Sequence, residues 1–331
     1  MYQPESYGIA FLMLLLSMIC WGSWANTMKL TPSWKFQHYY WDYVVGILLM
    51  SLVWGFTLGN TNQGPQSFVQ NLGAANFSNI LYALLGGVVF NLANLLLVAA
   101  IEIAGLAVAF PVGIGLALIE AVIINYILTP KGNPYLLFGG LIIVVLAIVF
   151  DALAYRQKES GRPNLTTKGI VVSLLAGVLM GLFYPFVTKA LTGANALGPY
   201  SVGFVFAIGI ILCTIPANYI LMRKPITGGQ VLTFEGYFSA RGPWHLLAIL
   251  GGAIWYTGTV FNFVASHAQI VGPAISYALG SGATMVSALW GVFLWKEFSG
   301  APPSAVRLLA FMFILFVVGL GVISVAPLVP H

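Results

Sequence analysis

The chain predicts an all-α polytopic membrane protein of ten transmembrane helices, arranged as two inverted five-helix repeats. Three observations lead there. Of 331 residues, 60% are hydrophobic and 6% charged, far from the roughly 25% charged of soluble domains. Ten apolar stretches lie at 7–28, 40–58, 79–101, 105–128, 135–153, 169–189, 200–221, 245–266, 272–294 and 305–327, most of them close to the ~20 residues that cross a bilayer as a helix. The hairpin 86–128 also returns after a shift of 165 positions. That shift lays Gly86-Gly87 on Gly251-Gly252, Ala100 on Ala265, Ala109 on Ala274 and Gly115 on Gly280 without a gap, an internal repeat of the kind secondary transporters carry.

Span 1 is too long for a signal-peptide core and follows MYQPES, which has no positive charge, so it is expected to stay as a span. It places Trp21 and Trp24 on one face and ends at Lys29. Span 2 opens on HYYW and Asp42. Lys29 and Asp42 fall near the same membrane surface, where an ion pair, as anchor or gate latch, is geometrically available.

Spans 3 and 4 meet at a short joint near Glu102 to Gly105. Asn91 and Asn94 share a face of span 3, and Glu120 lies in span 4 with apolar residues on both sides. An ionisable group that deep costs about 2.5–3.5 kcal/mol on insertion scales and therefore faces a protein interior or a water-filled path. Pro111 sits between Gly105 and Gly113, where it frees a carbonyl that only protein or a cavity can satisfy. Glu102, Asp151 and Glu297 fall at span ends and are expected to be solvated.

Residues 154–168, AYRQKESGRPNLTTK, are the most charged linker and divide the chain into 1–153, a cytoplasmic linker 154–168, and 169–331. Five spans per half is an odd number, so the second half enters the membrane inverted. Span 6 contains Pro185 and ends YPFVTK, whose Lys189 matches the Lys29 of WANTMK. In span 8, Trp255, Thr259, Asn262 and Ser266 stand at i, i+4, i+7 and i+11, beside Tyr256; Tyr277, Ser281 and Thr284 repeat that spacing in span 9. Each set is one helix face. The expected substrate-binding group is therefore Trp21, Trp24, Asn91, Asn94, Trp255, Tyr256, Thr259, Asn262, Tyr277 and Ser281, with Glu120 as the proton-coupling carboxyl. The competing account for each polar member is hydrogen-bonded glue between helices, at about 0.6–2 kcal/mol per bond. For the aromatics it is packing or an interfacial belt. The linkers 59–78 and 222–244 have room for short interfacial segments.

The basic residues orient the chain. Lys29, Lys35, Arg156, Lys158, Arg162, Lys168, Arg223, Lys224, Arg241, Lys296 and Arg307 follow odd spans; of the 13 Lys and Arg, only Lys131 and Lys189 fall at the other face. This positive-inside bias places both termini outside the cytoplasm, in a multi-pass protein of the cell (inner) membrane. The net charge of +5 then reflects basic loops facing an anionic leaflet rather than nucleic acid. Cys20 and Cys213 lie in apolar segments and serve packing. With no GxxxxGK[ST], HExxH, GxSxG or Cys/His cluster, catalytic residues, metal sites and cofactors are not expected. Uphill movement of a small-molecule substrate would draw on a gradient of protons or another cation.

The segments WDYVVGILL with GFTLGN, GGVVFNLANLL with AGLAVAFPV, and GGAIWYTGTVFNF with ALWGVFLWKEFSG resemble, in order and spacing, the drug/metabolite transporter superfamily. Within it the chain is most similar to the ureide permease branch, which neighbours the glucose/ribose and rhamnose porters. The resemblance implies two inverted five-helix halves, a central cavity and alternating access, often proton-coupled. It also implies import of a neutral hydrogen-bonding heterocycle of the ureide or nucleobase class, with a sugar as the alternative. Plant members carry a nucleotide-binding-like motif in the central loop, which 154–168 lacks, so ATP-linked regulation does not transfer.

Overall fold

The computed structural model describes residues 1–61, 63–158, 166–268 and 270–329. Ten helices among them are long and apolar enough to cross a membrane: Tyr7–Lys29, Phe36–Asn60, Phe77–Ala104, Pro111–Leu128, Pro134–Lys158, Thr167–Ala190, Pro199–Arg223, Gly242–His267, Pro273–Leu294 and Pro303–Leu328. They are spans 1 to 10 below. No strand occurs among the described residues. The expected spans are thus all present, most extended by a few residues.

Local chemistry sets the ends. Pro199, Pro273 and Pro303 open spans 7, 9 and 10 in the first turn, where the missing N–H has no intrahelical acceptor to lose. The hairpins joining spans 3 to 4 and 8 to 9 each turn at a glycine with positive φ, Gly105 at 78° and Gly272 at 83°, a conformation that a Cβ disfavours. The two long linkers carry short helices, Phe68–Ala74 behind a Ser67 capping box and Phe234–Phe238. Span 5 runs to Lys158 and span 6 starts at Thr167. Most of the charged centre of the proposed linker, including Arg162, lies outside the described residues.

The helix pairings come in matched sets. Span 3 packs on span 6 as span 8 packs on span 1; span 7 crosses span 3 as span 2 crosses span 8; span 4 meets span 6 as span 9 meets span 1; and spans 5 and 10 pack on each other. This fits an inverted repeat. Glycines set the tightest crossings: a Cβ on Gly87 would collide with the Phe206 carbonyl, and one on Gly252 with that of Tyr43. From the partner helices, Gly209 and Gly46 answer against the carbonyls of Leu84 and Ile249. The Gly-Gly openings found in the sequence therefore lie at tight crossings with no room for a side chain at Gly87 or Gly252, as small residues allow in membrane bundles.

Three spans are irregular. Span 1 breaks at Trp24, between helices Tyr7–Ser23 and Ala25–Lys29. Span 4 begins with a π-helical turn, Phe110–Gly115, around Pro111. Span 9 is interrupted at Ser281 and Gly282 and finishes as a π-helix, Trp290–Leu294. Such interruptions concentrate at functional sites and need protein or a cavity to satisfy the freed backbone groups.

Candidate functional site

The aromatic residues singled out by spacing join a continuous seam through the bundle. Trp24 lies 4.9 Å (ring centroids) from Tyr43, which lies 6.4 Å from Trp255. Trp255 stacks on Phe90 at 4.6 Å and 27°. Phe90 meets Phe183 edge-on at 5.2 Å, Phe183 meets Tyr277 at 5.9 Å, and Tyr277 meets Tyr184 at 5.0 Å. Spans 1, 2, 3, 6, 8 and 9 each contribute a ring.

Two polar nodes flank this seam. In the first, Tyr40 donates to Asn91 Oδ1 at 2.8 Å, Thr214 donates to the same oxygen at 3.0 Å, and Asn94 Nδ2 donates to the Tyr40 oxygen at 3.1 Å. In the second, Asn262 Oδ1 accepts from Tyr184 at 2.5 Å, while its Nδ2 donates to Ser17 Oγ and to the Ser276 carbonyl. Trp21 Nε1 donates to Thr259 Oγ1 at 3.0 Å, which ties span 1 to span 8. Buried groups in the seam and its two nodes that have no partner include the Tyr43 hydroxyl, Asn91 Nδ2 and Ser276 Oγ. Such a group costs about 1–3 kcal/mol, so each marks an unfilled capacity to bond.

Other expected members stand apart. Ser281 bonds within its own helix, to the Ala278 carbonyl. Tyr256 lies against Gly203 of span 7. Glu120 lies against Gly181 of span 6, close enough to Tyr277 to interact electrostatically, and its Oε2 is buried without a partner.

Cavities lie toward both ends of the bundle. At the basic end, one of about 590 Å³ is lined by Met28, Lys29, Lys35, Gln37, Glu102 and Gln230, among others. At the opposite end, one of about 300 Å³ lies among Thr129, Thr188, Thr192, Ser266, His267 and Pro273. Both border the end of a repeat's first helix and the end of its third. Hydroxyls and one imidazole supply the polar side chains of the second.

The ion pairing differs from the expected one. Lys29 pairs with Glu297, not with Asp42. Asp42 instead accepts from His245 Nδ1 at 2.5 Å and from the Tyr237 hydroxyl at 2.6 Å. The reason is geometric. Lys29 ends span 1, which packs on span 9, and so reaches the segment after span 9; Asp42 is on span 2, which packs on span 8, and so reaches the start of that span. Glu297 is accordingly half-buried rather than solvated. Burial works to raise its carboxyl, but hydrogen bonds from Lys29 and Tyr155 and the charges of Lys29 and Lys158 outweigh it and hold it below its ordinary value. Burial, helped by the hydrogen bond and charge of Asp42, pushes the Tyr237 hydroxyl up. Asp151 is buried at 4% exposure, also against expectation, because span 5 continues well past residue 153.

Sequence reasoning missed Tyr40, Tyr43, Tyr184, Thr214 and Ser17. The tyrosines of span 2 had a signal in their spacing: Tyr40 and Tyr43 are one turn apart, Tyr40 turned to Asn91 and Asn94 of span 3 and Tyr43 to Trp255 of span 8.

Residues 39–166 match the ureide permease family model. Over nearly its full length the chain is similar to ureide permease 1 of Arabidopsis thaliana, at 24% identity covering 98% of each chain. Ureide permease 5 of the same plant is 24% identical over 97% of this chain and 95% of its own. A glucose uptake protein of Bacillus subtilis is 25% identical over 76% of this chain and 87% of its own. One crystal structure shares the fold, with a TM-score of 0.63 at 16% identity over 96% of both chains. Ten spans together with these relatives define the class: the chain is a multi-pass membrane transporter of small solutes, and not an enzyme. Within that class it resembles the ureide permeases, with bacterial sugar uptake proteins as further relatives.

Proposed function

We propose that this transporter imports a small neutral polar solute of the ureide or nucleobase class across the cell (inner) membrane, by alternating access coupled to protons. The observation that carries the reading is the aromatic seam with unpartnered Tyr43 and Asn91 groups beside it. Flat rings offer stacking surfaces, and the free donors offer hydrogen bonds to a planar, carbonyl-rich molecule. The bonds now made within the seam belong to a closed arrangement, with cavities toward either end that are alternately joined to it. The halves 1–153 and 169–331, joined through 154–168, rock about the seam with both termini outside the cytoplasm. Glu120, beside Tyr277, is the carboxyl that takes and releases the coupling proton.

A sugar is the second reading, favoured by the likeness to the glucose uptake protein; sugars also stack on aromatic faces. Coverage of 98% against 76% favours the ureide class. A thermal-shift series with allantoin, uracil, xanthine and glucose on purified protein tests the choice, because a ligand of the folded state raises stability with its saturation. The expected result is a shift with a ureide or nucleobase; a shift with glucose alone moves the assignment to sugars.

A further inference from the structure

The basic end holds an acid that the transport reading does not use. Asp151 stands in span 5, seven residues before Lys158, about 10 Å from the helix end at 1.5 Å per residue. Its side chain is buried and Oδ1 has no hydrogen-bond partner. Ionisable groups so placed in membrane helices are functional by default, since an uncompensated charge there is costly.

Its surroundings give that acid a task. Glu297 is close enough to act on it electrostatically. Glu297 itself is held by Lys29 of span 1 and by the hydroxyl of Tyr155, one turn beyond Asp151, at 2.8 Å. Around it, spans 1 and 9 are tied by Trp295 to Asn26 at 2.5 Å, by Trp290 to Ser23 at 2.8 Å, and by Lys29 over the Trp295 ring. The charged groups near Asp151 are Glu297, with Lys29 bound to it, and Lys158, which lies over the rings of Tyr155 and Phe298. From span 10, Ser304 is bonded to Gln157 and Arg307 is exposed. The short helix before span 4 and the first turn of that span, residues 106–115, also pack here and contain no titratable side chain.

We propose that Asp151 is a second proton-binding site, whose occupancy is set by whether Lys29 holds Glu297. While the pair is made, Asp151 faces a neutralised neighbour. When spans 1 and 9 part at this end, Glu297 is left as a bare anion beside Asp151, and two like charges at close range disfavour each other. A proton from water at the basic end then adds to the Asp151 carboxylate and removes the repulsion; no other bond forms or breaks. By linkage, proton binding at Asp151 and opening of the Lys29–Glu297 latch promote each other.

Infrared difference spectroscopy of purified protein across pH tests this without any substrate. Expected is a carbonyl band of a protonated carboxylic acid that fades as pH rises, is lost in Asp151→Asn and is kept in Glu120→Gln. In Lys29→Met its midpoint moves to higher pH. A band unchanged in Asp151→Asn overturns the site, and an unmoved midpoint in Lys29→Met overturns its coupling to the latch. Should Asp151→Asn fail to fold, dicyclohexylcarbodiimide, which attacks protonated buried carboxyls, replaces it. Peptide mapping of treated wild-type protein is then expected to show Asp151 modified, several-fold less as pH rises; an unmodified Asp151 at every pH overturns the proposal. Since neither measurement uses a solute, failure here leaves the transport reading standing, and loss of transport in seam variants leaves Asp151 untouched.

Discussion

At the scale of the residue, the unpartnered groups separate binding from packing. The Tyr43 hydroxyl is buried with nothing to bond, so removing it relieves a desolvation cost and removes no internal bond. Tyr43→Phe is expected to keep or raise the melting temperature while weakening solute binding by about 1 kcal/mol, roughly fivefold; unchanged binding would make the hydroxyl a packing accident. Asn262 is the opposite case, because its amide holds Tyr184, Ser17 and the Ser276 carbonyl. Asn262→Ala should lower stability by about 1–3 kcal/mol by stranding those groups, and a melt as high as wild type would show the node to be dispensable. Spacing alone put Trp255, Thr259 and Asn262 on one face, since a helix repeats its face every three or four residues. It missed Tyr43, because the run HYYWDY looks like an interfacial belt when its burial is unknown. Asp151 was misplaced for a related reason: hydropathy falls where charges begin, but span 5 continues to Lys158, which carries Asp151 deeper than its position in the sequence suggests.

At the scale of the element, glycine crossings and end latches are what hold the spans in place. Gly252→Val drives a side chain into the Tyr43 carbonyl and is expected to cost about 1–3 kcal/mol or more by overpacking. Gly139→Ala, where a Cβ meets open space, should stay within about 0.5 kcal/mol. Equal thermal melts for the two would contradict the close crossing of spans 2 and 8. The Lys29–Glu297 latch adds a pH dependence whose sign is fixed. Glu297 is held below its ordinary value of 4.5, so its contribution is fully present above that value and is lost as pH falls through the lowered folded value. Melts taken from neutral into acid solution should fall less steeply for Glu297→Gln than for wild type, and parallel curves would remove the latch. The Gly-Gly openings and most span ends were legible in the sequence because both follow from composition. The partners of Lys29 and Asp42 were not, since nearness in sequence and shared depth say nothing about which span packs on which.

At the scale of the whole molecule, the matched helix pairings fit two inverted halves, and the bias of basic residues toward one end is what the proposed orientation rests on. In a background free of other accessible thiols, a cysteine at position 160 is expected to be protected from an impermeant reagent in intact cells, and one at 331 labelled; both positions lie outside the described residues. The reverse labelling would turn the molecule over. Ten spans and the family likeness were readable from residue order because bilayer thickness and motif spacing are written along the chain. The closed seam was not, because it is made by contacts between spans far apart in sequence. The central claim, that a ureide or nucleobase crosses through this seam driven by a proton gradient, is tested most directly in proteoliposomes that hold wild-type protein or Glu120→Gln. With an inward proton gradient, wild type should concentrate labelled allantoin or uracil, while Glu120→Gln exchanges that solute across the membrane without concentrating it. Accumulation of neither compound by wild type, or undiminished accumulation by Glu120→Gln, would contradict the account.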